Sequence, residues 1–229
     1  LISKRTNLSI NPKVFKCGAG IFTGVFAIGL PASINNVLMS TSNIVMNNFL
    51  AGYGDNAVAG MGVAMKANML VVLIQIGLGM GIQPLIGYCY GSRNIERLRR
   101  FIRGGIICNV VFGTIITTVY FVFTKQIINI FIKDQGVIDY GIDMLRALMI
   151  VGPFIGIMFI FNFSFQAMGK AVPSLILSLS RQGLVFIPVL FIANRLVGLR
   201  GIVYAQPIAD AVSLIMAFIM FVIIRNNLE

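Results

Sequence analysis

Apolar residues fill six stretches of this chain almost without a break, at about 26–51, 57–90, 105–124, 137–168, 172–193 and 202–224. A helix needs about 20 apolar residues to cross a bilayer, so the pattern predicts six transmembrane helices. The strands of a membrane barrel would alternate over ~10-residue segments, and no such alternation is present. Gly52-Tyr53-Gly54-Asp55-Asn56 closes the first stretch and Gly91-Ser92-Arg93-Asn94 the second, which is long enough to tilt, bend or project from the membrane. Asn11-Pro12 reads as a helix cap with proline at the first helical position, leading into an amphipathic run at 12–25. Residues 95–104 form a basic amphipathic lead-in to the third stretch. Lys125 to Lys133 predicts a short surface helix with Ile127, Ile128, Phe131 and Ile132 on its apolar side. Pro188 interrupts the fifth stretch.

The first stretch departs from the others. Ser33, Asn36, Ser40, Asn43 and Asn47 recur in it at spacings of 3, 4, 3 and 4, which puts them on one stripe of an α-helix. An amide facing lipid costs several kcal/mol unless something satisfies it. The stripe is therefore expected to face other helices or a wet cavity, and five polar residues on one face favour the cavity. Asn162 and Gln166, four residues apart in the fourth stretch, repeat the pattern more faintly.

Composition agrees: 58% of the 229 residues are hydrophobic and only 11% charged, against about 25% charged in soluble domains. The +11 net charge would point to nucleic acid in a soluble chain, but its distribution excludes that reading. Lys4, Arg5, Lys13 and Lys16 precede the first stretch, Arg93, Arg97, Arg99, Arg100 and Arg103 follow the second, and Lys170 and Arg225 fall on the same side if six helices alternate. Lys125, Lys133, Arg195 and Arg200 fall on the other. By the positive-inside rule the rich side is cytoplasmic, which predicts a multi-pass protein of the cell (plasma) membrane with both chain ends in the cytoplasm; anionic lipid headgroups can add to this bias. Cys17, Cys89 and Cys108 show neither disulfide nor zinc spacing and read as free apolar thiols.

Enzymatic chemistry finds no foothold. Gly77-Leu78-Gly79-Met80-Gly81-Ile82 lacks the third glycine of a dinucleotide fingerprint, and Gly169-Lys170 lacks the glycine and hydroxyl of a phosphate loop. There is no histidine and no clustered set of carboxylates or nucleophiles. Lys66, Arg181 and Asp210 lie near the middle of their stretches, where charge is expensive and either functional or paired. Arg181 is about ten residues from the cytoplasmic end of the fifth helix and Asp210 about nine from the outer end of the sixth. Antiparallel packing brings them to one depth, so the expectation is a structural Arg181–Asp210 pair rather than an ion carrier.

At this point a family resemblance emerges. Gly29-Leu30-Pro31, then Asn47-Asn48-Phe49-Leu50-Ala51-x-Tyr53-Gly54-Asp55, then Val58-Ala59-Gly60-Met61-Gly62-Val63-Ala64 closely resemble the multidrug and toxic-compound extrusion (MATE) transporters. So do Gly77 to Ser92, with Gln83-Pro84-Leu85-Ile86-Gly87-Tyr88 at its centre, Phe165-Gln166-Ala167-Met168-Gly169, and Leu199-Arg200-Gly201-Ile202. The resemblance implies an all-α integral membrane fold in which this six-transmembrane-helix bundle is the C-terminal lobe of a twelve-helix transporter. Residues 1–12 would be the cytoplasmic inter-lobe linker and 13–229 the lobe. It implies export of cationic or amphipathic compounds coupled to Na+ or H+, no other cofactor, and a missing N-terminal lobe as partner. Asn36, Ser40, Asn43, Asn47, Asn162 and Gln166 would line the substrate cleft. One branch of the family carries an acidic cation ligand shortly after the Gly-x-Pro; here residues 35–40 read Asn-Asn-Val-Leu-Met-Ser, so the resemblance is nearer the branch that couples through acids of the first lobe. Two other readings stand beside it: a lipid-linked oligosaccharide flippase or polysaccharide exporter of related architecture, and a non-transporting membrane module or passive channel.

Overall fold

The computed structural model describes residues 19–226, which are helical apart from short turns. The helices are α1 (Ala19–Ala51), α2 (Asp55–Gly91), α3 (Ile95–Val122), α4 (Thr124–Phe131), α5 (Gln135–Met149), α6 (Gly152–Ala167), α7 (Ala171–Leu179), α8 (Phe186–Val197) and α9 (Leu199–Asn226), with a π-helical stretch at Ser180–Leu184 between α7 and α8. The Asn11-Pro12 cap, the linker at 1–12 and Cys17 lie outside the described residues. Among those described, α2, α3, the segment Val172–Val197 and α9 are each long and apolar enough to cross a membrane, and the bent pair α5–α6 makes a fifth span. With α1, 33 residues long and uncharged, these are the six helical segments that the hydrophobic pattern predicts.

Three local details differ from the pattern, each for a backbone reason. The basic run after Arg93 is the start of α3 itself: Asn94 caps it, its side chain accepting from the Arg97 N–H at 3.0 Å. The fourth stretch is not one helix, because α5 and α6 meet at a 50° bend. Pro153, in the first turn of α6, has no N–H to give the preceding turn, so the α5 ladder cannot run on through it. The fifth stretch breaks before Pro188 rather than at it. The Val185 N–H reaches back five residues to the Ser180 carbonyl at 3.0 Å, and Pro188 sits in the first turn of α8, where a missing N–H leaves nothing unpaired. The short helix α4 forms where the Lys125–Lys133 pattern places it.

The interior is two apolar clusters stacked along the helices. One, at the end of the α1–α2 turn, holds Met46, Leu50, Met61, Leu145, Leu148, Phe186 and Leu190. The other, at the arginine-rich end, holds Ile86, Leu98, Phe161, Phe165 and Leu177. Buried polar side chains, Gln75, Asn109, Ser180, Asp210 and Ser213, lie at the depth between them.

The glycine pairs divide by environment. Gly152 and Gly156 meet α3 so closely that an added Cβ would stand 2.5 Å from Thr117 Oγ1 and 2.3 Å from Asn109 Oδ1, respectively. Gly77 and Gly81, spaced four apart like Gly152 and Gly156, have nothing within 4 Å of such a Cβ and face out of the lobe. Gly156→Ala is therefore expected to destabilise by about 1–3 kcal/mol, whereas Gly104→Ala, with open space at its Cβ, is neutral or gains up to about 1 kcal/mol of helix propensity. Unfolding midpoints of the two variants in detergent, compared with wild type, check both.

Candidate functional site

On α1, Ser42, Met46 and Leu50 are buried while Ser33, Asn36, Ser40 and Asn47 are exposed and Asn43 is half-buried. Leu38 packs on Gly183, the Ser42 hydroxyl donates to the Gln182 carbonyl, and Phe49 meets Phe191 edge-on with ring centroids 4.9 Å apart. These contacts fix one side of α1 against the π-helical stretch and α8. At 100° per residue the polar stripe centres roughly 160° round the helix from them. It therefore lies on the flank turned away from α8, and Asn36, Ser40, Asn43 and Asn47 make no side-chain hydrogen bond to another described residue.

Arg181 and Asp210 are in contact. Arg181 Nε donates to Asp210 Oδ1 at 2.7 Å, and the same oxygen accepts from Gln206 Nε2 at 3.0 Å. The guanidinium also lies over the Phe159 ring, 5.2 Å from its centroid. The side chains are 13% and 4% exposed, and Arg181 lies in the π-helical stretch that joins α7 to α8.

Asn162 is not a free cavity-lining amide. Its Nδ2 donates to Ser178 Oγ at 3.2 Å, and its Oδ1 accepts from the Ser174 hydroxyl and from Gln166 Nε2. Gln166 Nε2 also reaches Ser174 Oγ at 3.0 Å. This network clips α6 to α7; Gln166 stays exposed at its edge and Asn162 is half-buried. Lys66 is exposed and points away from the buried face of α2. Cys89 is buried and Cys108 exposed, both as free thiols.

Two polar groupings escape the sequence reading. Gln75 Nε2 donates to the Gly152 carbonyl at 2.8 Å, and Asn109 Nδ2 donates to the Gln75 carbonyl at 3.3 Å. Gln75 Oε1, Asn109 Oδ1 and Thr117 Oγ1 are buried without a hydrogen-bond partner, the last two against the glycines of α6. The row Gly105, Asn109, Gly113, Thr117, every fourth residue of α3, carried that signal. The second grouping is Asp139, Asp143 and Arg146 on the exposed side of α5, three charges within the fourth apolar stretch.

Long apolar helices around a polar mid-depth layer define a multi-pass membrane protein. The MatE family profile matches residues 31–192. The multidrug export protein MepA of Staphylococcus saprophyticus is 34% identical over 208 residues, 91% of this chain and 46% of that protein. MepA of Staphylococcus aureus is 31% identical over 221 residues, 96% of this chain and 49% of its own length. A MATE crystal structure in the bent conformation shares the fold at a TM-score of 0.88 with 23% identity, covering 99% of this chain and 51% of that one. An outward-facing multidrug resistance MATE transporter matches at 0.85 with 22% identity, covering 99% and 51%. The chain belongs to the MATE family. It spans about half the length of the curated relatives it matches.

Proposed function

We propose that this chain is the second lobe of a MATE transporter that exports cationic or amphipathic compounds in exchange for Na+ or H+. The arginine-rich end is then cytoplasmic, as the positive-inside bias requires, and the first lobe faces the polar flank of α1. The observation that carries the reading is that flank: Asn36, Ser40, Asn43 and Asn47 at membrane depth, turned away from α8 and without partners among the described residues. Amides so placed are tolerable only against water, substrate or a partner lobe. Rocking of one repeat against the other around a midplane site is how such folds alternate access. Gln166 joins the lining, and Asn162 positions it through Ser174 and Ser178. Asp210 is held by Arg181 and Gln206, so the coupling carboxylate is assigned to the other lobe. The names of the relatives, multidrug export proteins, support the substrate class.

Alanine at Asn36, Asn43 or Asn47 in the full-length protein is expected to change which drugs are exported while expression stays at the wild-type level. Drug-susceptibility profiles of cells carrying each variant, with membrane abundance measured in parallel, provide the check. Uniform loss of abundance would instead make the stripe a packing surface and overturn the reading.

A further inference from the structure

The helices α3 and α9 both pack on α5 but not on each other, and the gap between them is a groove of about 500 Å³. Met144, Ala147 and Val203 form its buried floor. Phe121, Tyr140 and Tyr204 line it as partly exposed rings, and Asp143, Arg146 and Arg200 line it as exposed charges. None of those three charges has a hydrogen-bond or ion-pair partner among the described residues.

Depth decides what fills such a groove. Its α3 wall is Phe121, next to the last residue of that helix, and its α9 wall begins at Leu199 and Arg200, the helix start. Tyr140 lies about 8 Å and Arg146 about 16 Å into α5 at 1.5 Å per residue. The groove thus straddles a membrane–water boundary, with aromatic rings at headgroup level and a guanidinium on either side. On the orientation of the proposed function this is the outer leaflet. Of the three helices that line the groove, α1 packs on α9 but on neither α3 nor α5, so the α3–α5 side of the groove is turned away from the amide stripe and, in a membrane, toward lipid. Exposed charges of both signs, without partners in the protein, match a ligand that itself carries both signs.

We propose that this groove holds the headgroup of an outer-leaflet phospholipid, its phosphodiester on Arg146 and Arg200 and a primary ammonium on Asp143, the chemistry of phosphatidylethanolamine. The tyrosine hydroxyls supply further donors to the phosphate, and the rings cover the glycerol region.

Full-length protein is purified after equilibration with an equimolar mixture of phosphatidylethanolamine, phosphatidylglycerol and phosphatidylcholine, and the retained lipid is quantified by native mass spectrometry. Wild type is expected to retain phosphatidylethanolamine above the other two. Arg146→Gln and Arg200→Gln each lower retained phospholipid about fivefold, the value of roughly one guanidinium–phosphate contact near the surface. Asp143→Asn keeps the total and loses the preference over phosphatidylglycerol, and Lys125→Gln changes nothing. Variants enter the comparison only as monodisperse protein, and the wild-type composition tests the proposal without any variant. Retained lipid that mirrors the supplied mixture in wild type, or that is unchanged in all three groove variants, means annular lipid only and overturns it. This readout does not depend on transport, so failure of the export reading would appear in the α1 variants and leave the lipid result standing.

Discussion

Asp210→Ala is expected to cost about 3–5 kcal/mol, because it leaves the Arg181 guanidinium buried without its counter-charge. The carboxylate is 4% exposed and accepts from both Arg181 Nε at 2.7 Å and Gln206 Nε2 at 3.0 Å. Removing it strands a cation 13% exposed in the interior, where water cannot replace the lost partner. Arg181→Leu alone should be comparably harmful for the mirror-image reason. The double replacement Arg181→Leu with Asp210→Leu should recover most of the loss, since a buried pair is often no better than well-packed apolar side chains of similar volume. A double-mutant cycle on unfolding midpoints in detergent isolates the pair's own coupling. Additive losses in the cycle would mean that the two charges stabilise the lobe independently. Asp210→Asn asks the functional question. If it folds and binds drug normally but loses ion-driven efflux, Asp210 is the coupling residue and the structural reading is wrong.

Among the described glycines, Gly201→Ala should be the most damaging single methyl addition. Helices α8 and α9 are joined by Gly198 alone, at φ 65°, a left-handed position that suits glycine. The two helices then pack so tightly that a Cβ at residue 201 would lie 2.0 Å from the Ala193 carbonyl oxygen and 2.3 Å from its carbon. Overpacking a core costs typically about 1–3 kcal/mol when side chains can shift. Here the obstructing atoms are main chain, so the loss should reach or pass the top of that range. No side-chain substitution at position 193 should rescue it. Size-exclusion profiles and melting of the full-length variant measure this, and a wild-type midpoint for Gly201→Ala would refute the tight α8–α9 contact.

The hydrophobic pattern and single residues revealed different amounts. The six segments and α4 were legible because burial in lipid leaves long apolar runs between turns. The bends were less so: Pro188 announced a break in the fifth segment, but a proline disturbs the turn before itself, and the irregular backbone falls at Ser180–Leu184. Gly152-Pro153 carries the signal for the α5–α6 bend, but the apolar run passes through it unbroken and so hides it. The Arg181–Asp210 contact could be anticipated from depth alone, because antiparallel neighbours turn residue counts into heights. The partners of Asn162 could not be, since which helix meets that face of α6 depends on packing that no local pattern records; in the structure α7 does. Asp143 and Arg146 stand one turn apart near the start of an otherwise apolar stretch, and nothing in their spacing shows that they line a groove at a membrane boundary.

The division of the interior into two apolar clusters has a mechanical consequence. The lobe is built as two storeys, and its irregular backbone, the α5–α6 bend and the π-helical stretch, falls at the landing between them. Within a storey, interdigitated side chains resist shear because any slip opens voids. At the landing the contacts are Gln75 on the Gly152 carbonyl, Ser42 on the Gln182 carbonyl, and Arg181 with Gln206 on Asp210. Polar groups of that kind can exchange acceptors over a small tilt without losing volume. A torque applied to one storey would therefore be taken up as flexure between the two clusters, at the height of the Arg181–Asp210 pair.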